Sequence, residues 1–292
     1  MNIITAVRRL AILVGSQFPD SNFLRGVKPD LENVKQFLLS PCGGAWQENE
    51  IYIFYNRPAR EVLQFIERMA ADYCIIYFSG HGSATGLGER LLAVTDWLVD
   101  DLYMLECNTS PRITMLSDSC RTVPGAAISG IPWPHEEWLY ADGYSRARAV
   151  FDQSITDSPE GRIIVHATVH GRPAYDNRHG DGGEFTLSLL QAVSDLQKKG
   201  AYGAVYLETA VQEAALLLAK RGIFQSPAIA HREGHLQVPF AQTSPTYTMV
   251  GPRKAVNQSP GASYEKGPAN QPLKELLTVG GIALGVYLLS RL

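Results

Sequence analysis

The 292-residue chain has few cysteines and little net charge, and both shortages exclude classes of protein. Its four cysteines, Cys42, Cys74, Cys107 and Cys120, form no CxxC pair and show no zinc-ligand spacing. A net charge of -3 without a long basic run argues against binding to nucleic acid. We therefore expect four reduced thiols, no structural metal and a cytoplasmic catalytic domain.

Long hydrophobic runs are also missing until the C-terminus. Residues 8–15 have too short an apolar core, and no clean cleavage site, for a secretion signal, so they are predicted to form a buried strand. Residues 241–272 are rich in Pro, Ser and Gly, which is typical of a linker. Residues 276–289 are apolar on every side and include a GxxxG step at 281–285, which predicts a membrane-anchoring helix over residues 273–292; a helix buried in protein is the alternative.

Strand and helix patterns alternate through the first two thirds of the chain. Strands are predicted at residues 10–14, 51–55, 73–78, 112–116, 162–167 and 227–230, and helices at 29–39, 57–69, 185–196 and 205–220. Because the strands are apolar on both faces, they predict a mostly parallel six-stranded sheet covered by helices, an α/β/α sandwich. Residues 122–161 form a long insertion in this pattern.

Two motifs supply candidate catalytic residues, and each follows a predicted strand. His81 stands in the sequence YFSGHG at residues 77–82, and Cys120 ends the sequence LSDSC at residues 116–120. Since chemistry in parallel sheets is found beyond the carboxyl ends of the strands, the two side chains are expected at one edge. A thiol nucleophile needs a nearby base such as an imidazole. The backbone N–H groups of Gly82 and Cys120 are candidate donors to an oxyanion. The alternative is a buried cysteine and a turn histidine.

With these motifs the sequence resembles the caspase-like cysteine peptidases, and among them the metacaspase branch. Residues 77–82 resemble the family's histidine loop and residues 118–120 its cysteine loop. Residues 24–30 resemble the segment that lines the specificity pocket, and residues 183–186 resemble the Gly-x-Phe-Thr that opens a late helix. The resemblance implies a caspase-like fold over residues 1–240, with His81 as the general base and Cys120 as the nucleophile.

The resemblance also implies cleavage after Arg or Lys. Asp30 and Asp118 match the acids of the first pocket, and Ser79 is a polar neighbour. Caspases proper carry Gln where Asp118 stands and cleave after Asp. Carboxylates are good bidentate partners for a guanidinium, which agrees with a cationic substrate residue. The alternatives are a turn role for Asp118 and a first-turn helix role for Asp30.

Some positions depart from the family pattern. Arg121, Thr122 and Val123 stand where metacaspases often have His-Ser-Gly. The insertion at 122–161 occupies the place of a processing loop, where Arg146 and Arg148 are candidate self-cleavage sites or members of a solvated basic loop. Some relatives require calcium, but the acids at positions 96, 100 and 101 lack the spacing of a recognised calcium loop, so no cofactor is predicted and activation by calcium stays an open alternative.

The sequence thus predicts a cysteine endopeptidase acting on protein or peptide substrates and tethered to a membrane. Two alternatives remain open: a caspase-fold protease specific for Asp, and a non-catalytic scaffold that recruits partners. Roles in proteolytic signalling, cell death or defence follow only from analogy with bacterial relatives.

Overall fold

A mixed six-stranded sheet forms the centre of the protein. The computed structural model describes residues 6–17, 24–84, 90–119, 144–177 and 179–247. Its elements are β1 (Arg9–Ser16), α1 (Val27–Leu39), β2 (Ile51–Tyr55), α2 (Ala59–Arg68), β3 (Tyr73–Gly80), β4 (Gly82–Ala84), β5 (Arg90–Val94), β6 (Trp97–Asp100), α3 (Asp101–Glu106), β7 (Arg112–Asp118), α4 (Tyr144–Asp157), β8 (Gly161–His166), α5 (Glu184–Lys198), β9 (Gly203–Val205), α6 (Leu207–Lys220), β10 (Ala228–Gly234) and β11 (Ala241–Thr243). The central strands lie in the order β10-β8-β7-β3-β1-β2.

All six predicted strands and all four predicted helices are present. The strand pairs are parallel except for β10, which runs antiparallel to β8 at one edge. The predicted helix at 57–69 begins only at Ala59, because the extended backbone of Pro58 precedes it. The predicted helix at 205–220 begins at Leu207, because β9 takes up the residues before it and pairs with β11.

Apolar side chains pack on both faces of the sheet. Every residue of β1 and β3 is buried. Leu13 of β1 packs in the cluster that also holds Phe185 of α5, whereas its neighbour Ile12 packs with Ile66 of α2 and Met104 of α3. This alternation between two hydrophobic layers explains why the strand sequences are apolar at successive positions.

A second, three-stranded antiparallel sheet was not predicted. It consists of β4, β5 and β6 and leads directly into α3. The acids considered for calcium lie in and around it, and each has a protein partner. Asp96 accepts a hydrogen bond from the N–H of Ala59 at 2.8 Å, and Asp100 accepts one from the N–H of Tyr103 at 2.9 Å. Asp101 pairs with the ring of His166 at 2.5 Å. Within the described ranges, no group of three His, Cys, Asp or Glu side chains is placed to hold a metal ion.

The last part of the predicted insertion contains the helix α4, which hydrogen bonds and ion pairs hold against the sheet. The buried guanidinium of Arg9 donates to Asp152 of α4 at 2.8 Å and to the carbonyl oxygen of Gly44 at 2.6 Å. Arg148 of the same helix forms an ion pair with Glu50 at 2.6 Å. The charged pairs therefore fix α4 beside the start of β1. Residues 122–143 of the insertion lie outside the described residues.

The folded part of the chain extends beyond residue 240. Strand β11 falls within the segment assigned to the linker, and Tyr247 after it is buried. The predicted membrane helix at 273–292 lies outside the described residues and stays a prediction. In the part of the chain that the structure describes, no helix combines the length and the apolar character needed to cross a bilayer.

Candidate active site

The two strands that carry the catalytic motifs are neighbours in the sheet. Ser79 of β3 is aligned with Asp118 at the end of β7. His81 and Cys120 each follow two positions later in the sequence. The half-buried His81 lies between β3 and β4, where its carbonyl oxygen accepts a hydrogen bond from the N–H of Ala93 at 2.9 Å. The prediction that both motifs end at the same sheet edge agrees with this register.

Cys120 itself lies outside the described residues, so the pairing of its thiol with His81 stays a prediction. Ser119, the last described residue after β7, is buried, and its hydroxyl lies 2.9 Å from that of Ser117. Gly82 is the first residue of β4 and is aligned with Leu92 of β5. Its predicted role as an oxyanion donor is likewise untested.

Asp30 lies in the first turn of α1, and its carboxylate is buried at the same edge. Its Oδ2 accepts a hydrogen bond from the Ser79 hydroxyl at 2.7 Å, and its Oδ1 accepts one from the N–H of Gly183 at 2.7 Å. Asp30 and Ser79, which the sequence grouped as pocket residues, are therefore in direct contact.

Asp118 is the second buried carboxylate, and its partner lies in α5. Its Oδ2 accepts hydrogen bonds from the N–H of Thr186 at 3.0 Å and from the Thr186 hydroxyl at 2.7 Å. The hydroxyl of Tyr77 in turn lies 2.7 Å from that of Thr186. Among the described residues, the partner of the Asp118 carboxylate is thus a residue 68 positions away in the sequence. The first turn of α5 supplies N–H groups to both acids, as helix N-termini commonly do for anions.

Burial raises the pKa of both carboxylates, Asp30 and Asp118. Loss of solvent raises the pKa of Asp118 from 3.8 to about 7, although the bonds from Thr186 act in the opposite direction. Burial, with the neighbouring charge of Asp118, raises the pKa of Asp30 well above its ordinary value. Two adjacent buried acids that resist ionisation form a site that would be stabilised by an incoming cation.

A third carboxylate, that of Asp176, lies at the rim of the cluster. It is half-buried, and its Oδ2 accepts a hydrogen bond from the N–H of Gly26 at 3.1 Å. Burial raises its pKa, while the Gly26 N–H and the charge of His81 lower it. Among the described residues, no ion pair joins Asp30, Asp118 or Asp176 to a lysine or arginine. The described part of the site is therefore acidic.

Small residues allow the acids to approach the start of α5. A Cβ atom at Gly183 would lie 2.3 Å from Oδ2 of Asp118, and one at Gly182 would lie 2.5 Å from Oδ1 of Asp30. Gly182 also has a φ of 147°, which side chains rarely adopt. The segment at residues 183–186, noted in the sequence only for its resemblance to a family motif, thus holds the two buried acids Asp30 and Asp118.

The two candidate processing residues lie away from this cluster, in α4. Arg146 is exposed, whereas Arg148 is half-buried and paired with Glu50. Cleavage after either residue would require the helix to open locally, because a protease binds its substrate in an extended conformation. Self-processing at these positions stays a prediction.

Comparisons with known proteins agree with this architecture. A family model described as "Caspase domain" matches residues 8–243. The chain belongs to the caspase domain family. This caspase domain is also similar to the crystal structure of caspase-1 from Spodoptera frugiperda, with a TM-score of 0.53 and 17% sequence identity. The match covers 84% of this chain and 94% of that chain, and it shows a shared fold. A comparison with curated proteins gave no match.

Family membership supports the coarse prediction of a caspase-like cysteine peptidase, a hydrolase acting on proteins. It does not distinguish the metacaspase branch from caspases proper. Sequence reasoning missed Asp176 and the hydrogen bonds that join Thr186 to Asp118 and to Tyr77. Asp176 stands in a loop without periodicity, and nothing in the local sequence indicates that its carboxylate binds the N–H of Gly26, just before α1.

Proposed function

We propose that this caspase domain is a cysteine endopeptidase that cleaves after Arg or Lys. The observation that carries the specificity is the pair of buried carboxylates, Asp30 and Asp118, beside Ser79 at the carboxyl edge of the sheet. A guanidinium or ammonium group would satisfy charges that water does not reach there. An aspartate side chain would instead meet two acids and be repelled.

In the proposed reaction, Cys120 and His81 act as nucleophile and base. The imidazole takes the proton from the thiol, and the sulfur attacks the carbonyl carbon of the residue after which the chain is cut. The C–N bond breaks as the imidazole returns that proton to the leaving nitrogen. Water, deprotonated by the same imidazole, then hydrolyses the thioester and regenerates the thiol. The N–H groups of Gly82 and Cys120 are the proposed donors to the oxyanion.

Substrate binding is proposed to release protons. An acid whose pKa is raised to about 7, as that of Asp118 is, is partly protonated at neutral pH. A bound cation favours the ionised form and drives the proton off. The peptidase should therefore bind cationic substrates more tightly as the pH rises through 7.

A set of fluorogenic peptides that differ only at the residue before the scissile bond tests this function. Arg and Lys peptides should be cleaved, and Asp and Gln peptides should not. Cys120→Ala should abolish cleavage, while Cys107→Ala, which alters a half-buried cysteine outside the site, serves as the matched control. Preferred cleavage after Asp would overturn the specificity. Absence of Cys120-dependent cleavage, with or without calcium, would overturn the peptidase assignment and favour a scaffold.

A further inference from the structure

A buried histidine and a buried aspartate form a pair that the proposed reaction does not use. His166 is the last residue of β8, Asp101 is the first residue of α3, and each side chain is 2% exposed. Nε2 of His166 lies 2.5 Å from Oδ2 of Asp101. Burial of an imidazole and a carboxylate costs free energy unless each finds a partner. The pair therefore ties the start of α3 to the carboxyl end of β8.

On the side of β8, the pair lies next to the strand that leads to Cys120. His166 is aligned with Ser117 of β7, and the N–H of Ala167 donates to the carbonyl oxygen of Ser117 at 2.8 Å. The hydroxyl of Ser117 lies 2.9 Å from that of Ser119, the residue before Cys120. Because close-packed interiors transmit small displacements, a shift of His166 would also shift the backbone that precedes Cys120.

On the side of α3, the pair is continuous with the small sheet that holds the backbone of His81. The carbonyl oxygen of His81 accepts the N–H of Ala93 of β5 at 2.9 Å. Ala93 is aligned with Leu98 of β6. Strand β6 ends at Asp100, and Asp101 follows it directly. A shift of Asp101 would therefore pass through β6 and β5 to His81.

The remaining contacts of α3 with the central sheet are apolar. Met104 and Leu105 of α3 lie in one hydrophobic cluster with Met115 of β7 and Ile164 of β8. Hydrophobic contacts are not directional, whereas a hydrogen bond fixes both a distance and an angle. The polar pair is therefore suited to set where α3 lies relative to β8, and the apolar contacts to hold it there.

We propose that Asp101 and His166 are positioning residues: their hydrogen bond sets the separation between His81 and the strand that leads to Cys120. This inference rests on the proposed function, in which those two residues are base and nucleophile. Neither member of the pair contacts the substrate, and no proton passes through it. A misplacement on the order of 1 Å can slow a reaction by about 100-fold. The bonds between Asp118 and α5 should be unaffected, because α5 packs on the other face of the sheet.

Two measurements on the full chain test this role: the alkylation of Cys120 by iodoacetamide at pH 7, followed by mass spectrometry, and the cleavage of the Arg peptide. Alkylation reports the thiolate that His81 generates and needs no substrate. The half-buried Cys107 is a reference within the same chain. Asp101→Ala removes the acceptor, so it should slow the alkylation of Cys120 and lower kcat by about 10- to 100-fold. KM and the preference for Arg over Gln should not change.

Two further variants separate positioning from stability. Asp101→Asn should restore most of both rates, because an amide oxygen can accept the same bond from an imidazole N–H. Tyr73→Phe is the matched control. It removes the buried hydrogen bond of 2.9 Å from the Tyr73 hydroxyl to that of Thr114, which joins β3 to β7 away from the carboxyl edge. It should lower the free energy of unfolding and leave kcat and the alkylation of Cys120 unchanged.

Unchanged alkylation and kcat in Asp101→Ala would overturn the inference. An equal loss of kcat in Tyr73→Phe would do so too, because any loss of stability would then be sufficient. If Asp101→Ala does not fold, Asp101→Glu decides: its longer side chain has to move α3 relative to β8 to keep the bond, so a kcat equal to that of the parent protein refutes the role.

His81→Gln distinguishes failure of this inference from failure of the proposed function. If His81→Gln leaves the alkylation of Cys120 unchanged, the catalytic pair is wrong and the positioning role falls with it. If His81→Gln slows alkylation and Asp101→Ala does not, the catalytic pair stands and only the positioning role is refuted.

Discussion

Replacing Asp118 with asparagine separates two effects of this buried acid: its effect on the stability of the fold and its proposed effect on binding of a cationic substrate residue. The side chain is buried, and both of its described hydrogen bonds are accepted by one oxygen, from the N–H and the hydroxyl of Thr186. An amide oxygen can accept the same two bonds. Asp118→Asn therefore removes the titratable charge and leaves the packing nearly unchanged.

The magnitude follows from the pKa of Asp118, which burial raises from 3.8 to about 7. A raised carboxyl pKa means that the folded state holds the proton more tightly than the unfolded chain. The folded protein therefore loses stability from this group as the pH rises above about 4, and the loss is complete above about 7. Roughly three units at 1.36 kcal/mol each amount to about 4 kcal/mol.

Urea unfolding of the parent protein and of Asp118→Asn, at a series of pH values, measures this effect. The variant should become more stable relative to the parent by about 2–3 kcal/mol between about pH 5 and pH 8. The exposed Asp157 offers a matched control, since Asp157→Asn makes the same chemical change outside the site. At the same time, cleavage of the Arg peptide should fall by about 10- to 100-fold with the loss of a charge-assisted contact.

A stability difference that stays flat across this pH range would refute the reasoning, because it would mean that Asp118 is ionised without penalty in the folded protein. Equal cleavage of the Arg peptide by the two proteins would refute the pocket assignment instead. The two measurements are independent, so each part of the argument can fail alone.

Three further results are expected. Gly183→Ala should reduce cleavage of the Arg peptide by tenfold or more, since its Cβ would lie 2.3 Å from Asp118 while its φ of -73° is ordinary for alanine; unchanged kcat/KM would contradict this. KM for the Arg peptide should rise as the pH falls below about 7, where Asp118 gains its proton, and a pH-independent KM would speak against proton release on binding. Arg9→Met should lower the free energy of unfolding by about 3–5 kcal/mol, because Asp152 and the Gly44 carbonyl lose a buried partner. Arg57→Met, at an exposed pair, should lower the free energy of unfolding far less, and similar losses for both would be inconsistent with that account.

The central sheet and the position of His81 at its carboxyl edge were predictable because short stretches of sequence indicate them. Strands β1, β3 and β7 contain short, mostly apolar stretches that are buried on both faces, and a few residues of sequence are enough to recognise them. The rule that chemistry follows the carboxyl ends of such strands then places His81 without any knowledge of the tertiary contacts.

The remainder depends on contacts between distant residues. Asp118 bonds to Thr186, and Asp176 bonds to Gly26, which is 150 positions away. No periodicity in either segment indicates these partners. The small sheet of β4–β6 was not predicted because two of its strands, β4 and β6, have only three and four residues, too few for a clear pattern. Asp30 shows that a place in the first turn of a helix does not exclude a proposed pocket role, since it lies in the first turn of α1 and also binds the Ser79 hydroxyl.

The hydrogen bonds between Arg9 and α4 would hold together the two pieces that a backbone cut between residues 120 and 143 would produce. The piece before the cut contains Asp30 and Asp118, and the piece after it contains the Thr186 and Gly183 groups that hold them. Strands β7 and β8 pair across the divide, and the Arg9–Asp152 bond joins the same two pieces. A nicked chain should therefore elute from a sizing column as one particle. The acids of the proposed pocket and the backbone groups that bind them would then belong to different pieces. Separation of the two pieces would therefore remove the pocket from both.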